Sequence, residues 1–596
     1  YFNNTGDRLK LTDIVKWGNI AWTDLSYAFK GCSNMVMSAI DAPNLSNLIG
    51  NSTTHTFYGC TSFNSSLNHW DTSTLKYAWM MFYNCTSLNQ DFDNWDVSNI
   101  TGFQQMFANC ISFNGNVSTW DVSSSGETRY MFQNCQVFNQ DISSWDMSGK
   151  YTMDYMFQNC YAFNQNLSSW NLKTTGTVNL AGMFAAATSY NNGGQPLTWN
   201  TSAVTNLSQT FNTAQSFNAD ISSWDTSSVT DMSATFSNTD LFNQDISNWN
   251  VSSVVAMNSM FESADAFNQP IGSWDVSSVN NMSSMFRFSG SFNQLIDAWN
   301  TTSLTTMTRL VEGSVAFNQP IDSWDISNVT STGLDWFLNA AQSFNSTIKI
   351  LSNKPAAVVR YAYIFRELPV FNQDVSYVDY NGIAGFVDEF YQCPSFKQSL
   401  SSWDITTMSY GRIFGNAIKL STANYDATLV SWEAQSPGWV SNSNFGSSKY
   451  TLGGEAEAAR TSLINTYGWT ITDGGGVAEV PFVFDATPFG GGKTVSILTQ
   501  AGYTYDYNVS VSTGESFVNQ AGNLSINFLD SATRTFTITG LFPGFRCSDT
   551  ASARYQVITW GSQIWRTLAE SFEHPSFILT SLGSDVPNLN LCTSMF

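Results

Sequence analysis

The sequence predicts a repeat solenoid with one short strand per coil, followed by a small β-sandwich. Three observations carry that expectation. Tryptophan recurs every 25 residues at Trp70, Trp95, Trp120, Trp145 and Trp170, and again from Trp224 to Trp324. Seven residues ahead of each tryptophan stands an aromatic or leucine, as in Phe63, Leu88, Phe113 and Phe138. From Val480 to Phe545 the pattern changes to alternating stretches (KTVSILTQ, YTYDYNVSVS, LSINFLD, RTFTITG) punctuated by Gly, Asn and Ser, as strands in a sandwich require.

The aromatic can be followed through fourteen copies, from Phe63 to Phe396, with 27-residue steps around Tyr190 and Phe344 that keep the phase. Insertions therefore fall in loops. A 25-residue unit has too few apolar anchors to close a core alone, so it must stack, phenylalanine on phenylalanine and tryptophan on tryptophan. That length lies within the range of leucine-rich coils and is short for two helices joined by turns. Inside a unit, Asn139 to Asp146 sets Ile142 and Trp145 between polar residues, which predicts the strand. Val229 to Phe236 spaces Val229, Met232 and Phe236 three and four apart, which predicts a helical or 3₁₀ turn.

Two polar ladders accompany the apolar ones. Asn114 and Asn139 follow Phe113 and Phe138, and the same asparagine recurs in most units. Its donor and acceptor suit hydrogen bonds to backbone at a corner and to the copies on either side. Asp121 and Asp146 follow Trp120 and Trp145, with serine two residues on, which has the chemistry of an Asx turn or cap. A column of carboxylates also suggests calcium. Because asparagine replaces aspartate at four positions and no turn concentrates several carboxylates, capping is the preferred reading and no cofactor is expected.

Cys32, Cys60, Cys85, Cys110, Cys135 and Cys160 each lie three residues after an aromatic, and Cys393 fills the same slot downstream. Elsewhere that slot holds Ala, Thr or Ser, so it is small and buried. Coils ~4.8 Å apart would allow disulfide rungs in an oxidising medium. Buried free thiols acting as small apolar groups are the preferred alternative. Metal binding is weaker, because the only histidines are His55, His69 and His574.

Charged residues make up 12% of the 596 residues, with a formal charge of −22. That is about half the usual charged share, so Ser, Thr and Asn must cover the surface. No basic footprint for nucleic acid and no polybasic membrane patch is present. No run of about 18 apolar residues predicts a membrane span. The chain starts at Tyr1 without a signal-peptide core, from which a removed leader or a longer parent product is expected. Glycosylation sequons at Asn84, Asn99, Asn116, Asn166, Asn250 and Asn281, among others, permit glycans and, with the cysteine column, point to a secreted or cell-surface protein.

Taken in order, residues 1–55 form an irregular opening whose Trp17, Trp22 and Phe29 cover the first coil. Residues 56–420 make the fourteen coils, and 421–474 cap them with a helix from Glu455 to Tyr467 that ends at a glycine. The sandwich occupies 475–546, after Gly474–Gly476. In 547–596, WGSQIWRTLAESF from Trp560 matches WGNIAWTDLSYAF from Trp17, and DVPNL from Asp585 echoes DAPNL from Asp41. A second solenoid unit is expected to begin there.

The motif Met-Phe-x-x-Cys/Ala, Phe-Asn-Gln-x-Ile-x-x-Trp-Asp, Ser-x-Val-Thr-x-Met, seen around Met131–Ser148 and Met260–Met282, resembles the BspA-like or DUF285 repeats of bacterial surface proteins, which are degenerate leucine-rich repeats. The ending AARTSLINTYGWTITDG, from Ala458 to Gly474, is similar to that family's terminator, and residues 480–545 are similar to PKD-like immunoglobulin-type modules. The resemblance implies secretion or surface display, adhesion, and no catalytic residues. An extracellular structural or adhesive protein, a segment of a tandem array or fibre, is therefore expected. Its partners would be copies of itself, neighbouring surface proteins, or a glycan or matrix ligand. A glycan-binding module is the alternative. An enzyme is not expected, since three scattered histidines assemble no triad and GGGKT at Gly490–Thr494 lacks the full phosphate-loop pattern.

Overall fold

The computed structural model describes residues 2–387, 389–408, 410–412, 419–435, 437, 442–478, 482–488, 494–497, 506–514, 516–520, 524–527, 534–541 and 553–559. The chain divides into two compact bodies, Tyr1–Gln373 with Tyr377–Cys393, and Asp374–Ser376 with Pro394–Phe596.

In the first body each unit lies parallel to the next. Single-residue bridges join Ser52 to Tyr77, Tyr77 to Gly102, Gly102 to Glu127 and Glu127 to Thr152, and resume from Asn206 through Asp231, Ala256 and Asn281 to Thr306. Past each bridge the chain runs through consecutive turns whose donors alternate in destination. Ala234, Phe236 and Asn238 donate their N–H groups to the carbonyls of Asn258, Met260 and Glu262 in the next unit, at 2.8, 2.9 and 2.7 Å. Between them, Thr235, Ser237 and Thr239 donate to the carbonyls three residues back. Every second donor therefore ties unit to unit, and the others close turns, which satisfies the backbone without a helix or a wide sheet.

This arrangement corrects both predicted elements of the unit. Asn139–Asp146 contains a turn at Ser143–Ser144, not a strand, and the Trp145 N–H donates to the Ile142 carbonyl at 3.1 Å. Their three-residue spacing is that of a turn. The segment Val229–Phe236 is not helical, for it carries the bridge at Asp231 and then turns. Ala234 and Asn238 have φ of 53° and 54°, as the third residue of a type II turn requires. An alanine there bears a left-handed penalty that asparagine relieves. Ala234→Asn is expected to raise stability by about 0.5–1 kcal/mol, measured as a higher urea midpoint; an unchanged or lower midpoint would refute the strain.

At the start of this body, the N–H groups of Phe2 and Asn4 donate to the carbonyls of Ala28 and Lys30, and Trp17 packs edge-on against Trp70 with centroids 5.4 Å apart. In the second body, Trp403 donates from Nε1 to the Val375 carbonyl. Two helices follow, α1 (Thr422–Ala434) and α2 (Glu455–Asn465). Ser421 caps α1 by accepting from the Asn424 N–H, and Tyr425, Leu429 and Trp432 are buried along it. The buried Asp473 accepts from Arg460 Nε and from the Tyr425 hydroxyl, at 2.7 and 2.8 Å. No described helix is long and apolar enough to cross a membrane.

Among the described residues seven further strands follow in this body: β1 (Phe482–Pro488), β2 (Thr494–Ile497), β3 (Asp506–Val511), β4 (Ser516–Gln520), β5 (Leu524–Asn527), β6 (Arg534–Leu541) and β7 (Ala553–Thr559). Five form one antiparallel sheet in the order β4-β3-β6-β1-β7, and β2 pairs antiparallel with β5. Edge strand β7 comes from residues that the sequence reading gave to the following segment. The echo beginning at Trp560 and the glycines of GGGKT lie outside the described residues.

Candidate functional site

The regular residues serve the stack. Phe113 and Phe138 are fully buried with rings 5.9 Å apart and 5° from parallel. Trp120 and Trp145 are buried 6.3 Å apart at 4°, and each indole N–H is satisfied by a carbonyl of the preceding unit, Phe92 for Trp120 and Val117 for Trp145. None of these rings is a surface platform. Asn114 Oδ1 accepts the Asn139 N–H at 2.8 Å, and Asn139 Oδ1 accepts that of Asn164 at 2.9 Å, so the asparagines form a side-chain-to-backbone chain from unit to unit.

The aspartates close Asx turns. Asp121 Oδ1 accepts the Ser123 N–H at 3.0 Å, and Asp146 Oδ1 that of Ser148 at 2.9 Å. Hydrogen bonds from Ser123 and Ser148 hold both carboxyls below the usual range. Among the described residues no three metal-ligating groups converge. The sequon asparagines share this chemistry: Asn116, Asn166, Asn250 and Asn281 accept from Ser118, Ser168, Ser252 and Ser283. Asn99 donates to the Ser73 carbonyl, and Asn84 occupies a left-handed turn position at φ 60°. Asn99, Asn166 and Asn250 are exposed, whereas Asn84, Asn116 and Asn281 are half-buried.

The seven described cysteines are free and buried. Cys85, Cys110, Cys135 and Cys160 donate from Sγ to the carbonyls of Phe57, Phe82, Phe107 and Phe132 at 2.9–3.1 Å. Disulfide rungs would forfeit these bonds. Burial pushes Cys32 up to about 11 and Cys393 to about 12, and raises the others too. A thiol-disulfide reagent at pH 8 is therefore expected to leave these seven of the nine cysteines unmodified in the native protein and to titrate them in denaturant. Fast native labelling of Cys110 or Cys135 would contradict their placement.

Opposite in character is the turn face, which reasoning from regularity missed. Here Arg287 bridges Glu262 and Glu312 at 2.8 and 2.7 Å, Arg309 reaches Glu312 at 3.2 Å, and Arg360 reaches Asp335 at 2.6 Å. Trp336 and Tyr363 stack 3.9 Å apart, with the Arg309 guanidinium 5.2 Å from the Trp336 ring. The Arg366 guanidinium lies 5.7 and 4.9 Å from the rings of Tyr363 and Tyr391. The signal available in the sequence was variation: aligned on the Phe-Asn step, the units differ at these positions.

The family described as "Mycoplasma protein of unknown function, DUF285" matches at residues 23–134, 81–196, 178–288, 271–351 and 334–427. These overlapping matches run from the irregular opening to the start of α1. No curated protein and no solved structure matches the chain.

Proposed function

We propose a scaffold role for this chain, which belongs to the DUF285 repeat family: it is an extracellular structural or adhesive surface protein, built as a BspA-like, leucine-rich type of solenoid with a PKD-like sandwich. The observation that carries the reading is the unit-to-unit ladder. The recurring residues of the repeat, from the buried phenylalanine and tryptophan to the Asn and Asp columns, are engaged in holding neighbours together. Residues committed to stacking make a spacer and a display surface, and the role we propose is non-enzymatic. Partners are further copies of the chain or neighbouring surface proteins.

Glycan binding is the second reading, supported by the half-exposed rings and guanidinium groups of the turn face and not by the buried tryptophans. Electron microscopy of native material, with intact mass of the denatured subunit from the same sample, tests the choice. Filaments, or a subunit much longer than 596 residues, are expected. A discrete particle of 66.0 kDa would count against a fibre and send the question to glycan screening.

A further inference from the structure

We propose that the turn face from Arg287 to Tyr391 is a docking ribbon for an extended, acidic segment of a partner polypeptide. The biological setting rests on the adhesive reading above, but the chemistry is that of the face itself. Four of the five arginines between residues 52 and 409 (Arg287, Arg309, Arg360 and Arg366) occupy it. Stacking leaves its positions free to vary from unit to unit, as recognition needs.

The charges are layered. Arg309 is 39% exposed over a Glu312 that is 8% exposed, and Arg360 is 43% exposed over Asp335 at 9%. At these two pairs an approaching ligand therefore meets the guanidinium first, with its carboxylate partner beneath; at Arg366 the partner Glu367 is the more exposed, 34% against 24%. Ligand carboxylates would accept hydrogen bonds from the outward N–H groups of Arg309 and Arg366. Arg366 is only partly committed: Nη2 reaches Glu367 at 2.8 Å, and its buried Nε has no partner. Trp336 and Tyr363 offer ring faces for the side chains between the acidic ones. Tryptophan, tyrosine and arginine are the residues that concentrate binding energy at interfaces.

Order along the stack selects the class of ligand. A polysaccharide repeats, and a periodic ligand on a periodic stack would be read by the same side chain in each unit. Here the position eight residues before the aromatic presents Ser284, Arg309, Trp336 and Tyr363 in successive units, and the position five before it Arg287, Glu312, Asn339, Arg366 and Tyr391, with no period. An aperiodic reader fits an aperiodic chain, which is a polypeptide. The ribbon spans four unit steps of ~4.8 Å, or about six residues of extended chain at ~3.3 Å each. The protein's charge of −22 slows the approach of an acidic segment, but beyond about 8 Å it is screened at physiological salt.

The test is fluorescence anisotropy of the full chain with a labelled peptide of about ten alternating Glu and Tyr residues, at about 0.15 M salt. A Lys/Tyr peptide and a heparin-derived oligosaccharide serve as the other arms. The Glu/Tyr peptide is expected to bind, to weaken about tenfold or more with Trp336→Ala and with Arg366→Ala, and to be indifferent to Ser252→Ala in the Asn250 turn. Arg366→Lys should restore part of the loss, and thermal melting verifies that each variant is folded. Absence of binding at about 1 mM peptide, or equal binding by Trp336→Ala, overturns the proposal. Tighter binding of the oligosaccharide with the same sensitivity to both variants overturns it in favour of an anionic glycan. The assay uses purified protein, so its failure leaves the scaffold reading standing, and a discrete particle under the microscope would leave this result standing.

Discussion

Trp249→Ala is expected to destabilise the protein by about 3–5 kcal/mol and to break its unfolding into two steps. Trp249 is 3% exposed, stacks on Trp224 at 6.2 Å and 1°, touches Phe236 at 6.0 Å, and donates from Nε1 to the Ile221 carbonyl. Truncation removes a large aromatic surface and opens a void against the unit on either side. In a stack whose stability sums over neighbours, a fault in the middle also uncouples what lies before it from what lies after. The urea transition, followed by tryptophan fluorescence and by circular dichroism, should separate into two. Trp70 makes the internal comparison. It is the first of the row, and its Nε1 has no acceptor beneath it, so Trp70→Ala should cost less and leave one transition. Equal losses at the two sites would mean that the units are not coupled as described.

Glu389 supplies the second large effect. Its slot holds Met81, Met106, Met131 and Met156 in earlier units, and the side chain is 1% exposed. The carboxylate substitutes for a backbone acceptor: Oε1 accepts the Tyr363 N–H and Oε2 that of Ile364, both at 3.1 Å, where the regular Trp336 N–H finds the Ala362 carbonyl. Burial outweighs these bonds and raises the carboxyl from 4.5 to about 8. The folded state thus holds the proton more tightly than the unfolded chain. Stability is fully present below about pH 4.5, falls as the pH rises through the interval up to about 8, and levels beyond it, by on the order of 5 kcal/mol in all. Glu389→Gln should abolish most of that slope and raise the urea midpoint at pH 8.5 while barely altering it at pH 4.5. A slope that survives in the variant would place the titrating group elsewhere.

The sequence made the period legible because an apolar ladder must be exact to stack, and Phe113, Trp120 and their copies declare it. The Asn114 and Asp121 columns were legible for the same reason, since a side chain that bonds its own copy admits few substitutes. The internal path of the unit was not. Val229, Met232 and Phe236 recur at helical spacing because turns of three residues bring side chains inward at nearly the same interval. Helix α1 was missed because Thr422, Asn424, Thr428 and Ser431 are weak helix formers, and burial of Leu429 and Trp432 overrides them.

The polar residues with most to say sit where the repeat is broken. Lys150 takes the place of Leu75, Ile100 and Val229, and donates from Nζ to the Val122 and Ser125 carbonyls at 2.6 and 2.5 Å while burial pushes it down to about 8. Glu389 and the arginines of the turn face are likewise departures from the pattern. A search for sameness passes over them. Aligning the units with one another, and asking where they disagree, would have found all of them.

The most direct test of the account is to remove one unit whole. Deleting residues 256–280 takes out 25 residues and brings Asp231 to the bridging position of Asn281, so every ladder can close again. That protein should melt cooperatively within a few degrees of the parent. Deleting residues 256–267 instead leaves the ladders out of phase and should abolish the cooperative transition. If the two deletions proved equally harmful, or the shorter one the milder, the body would not be a stack of interchangeable units.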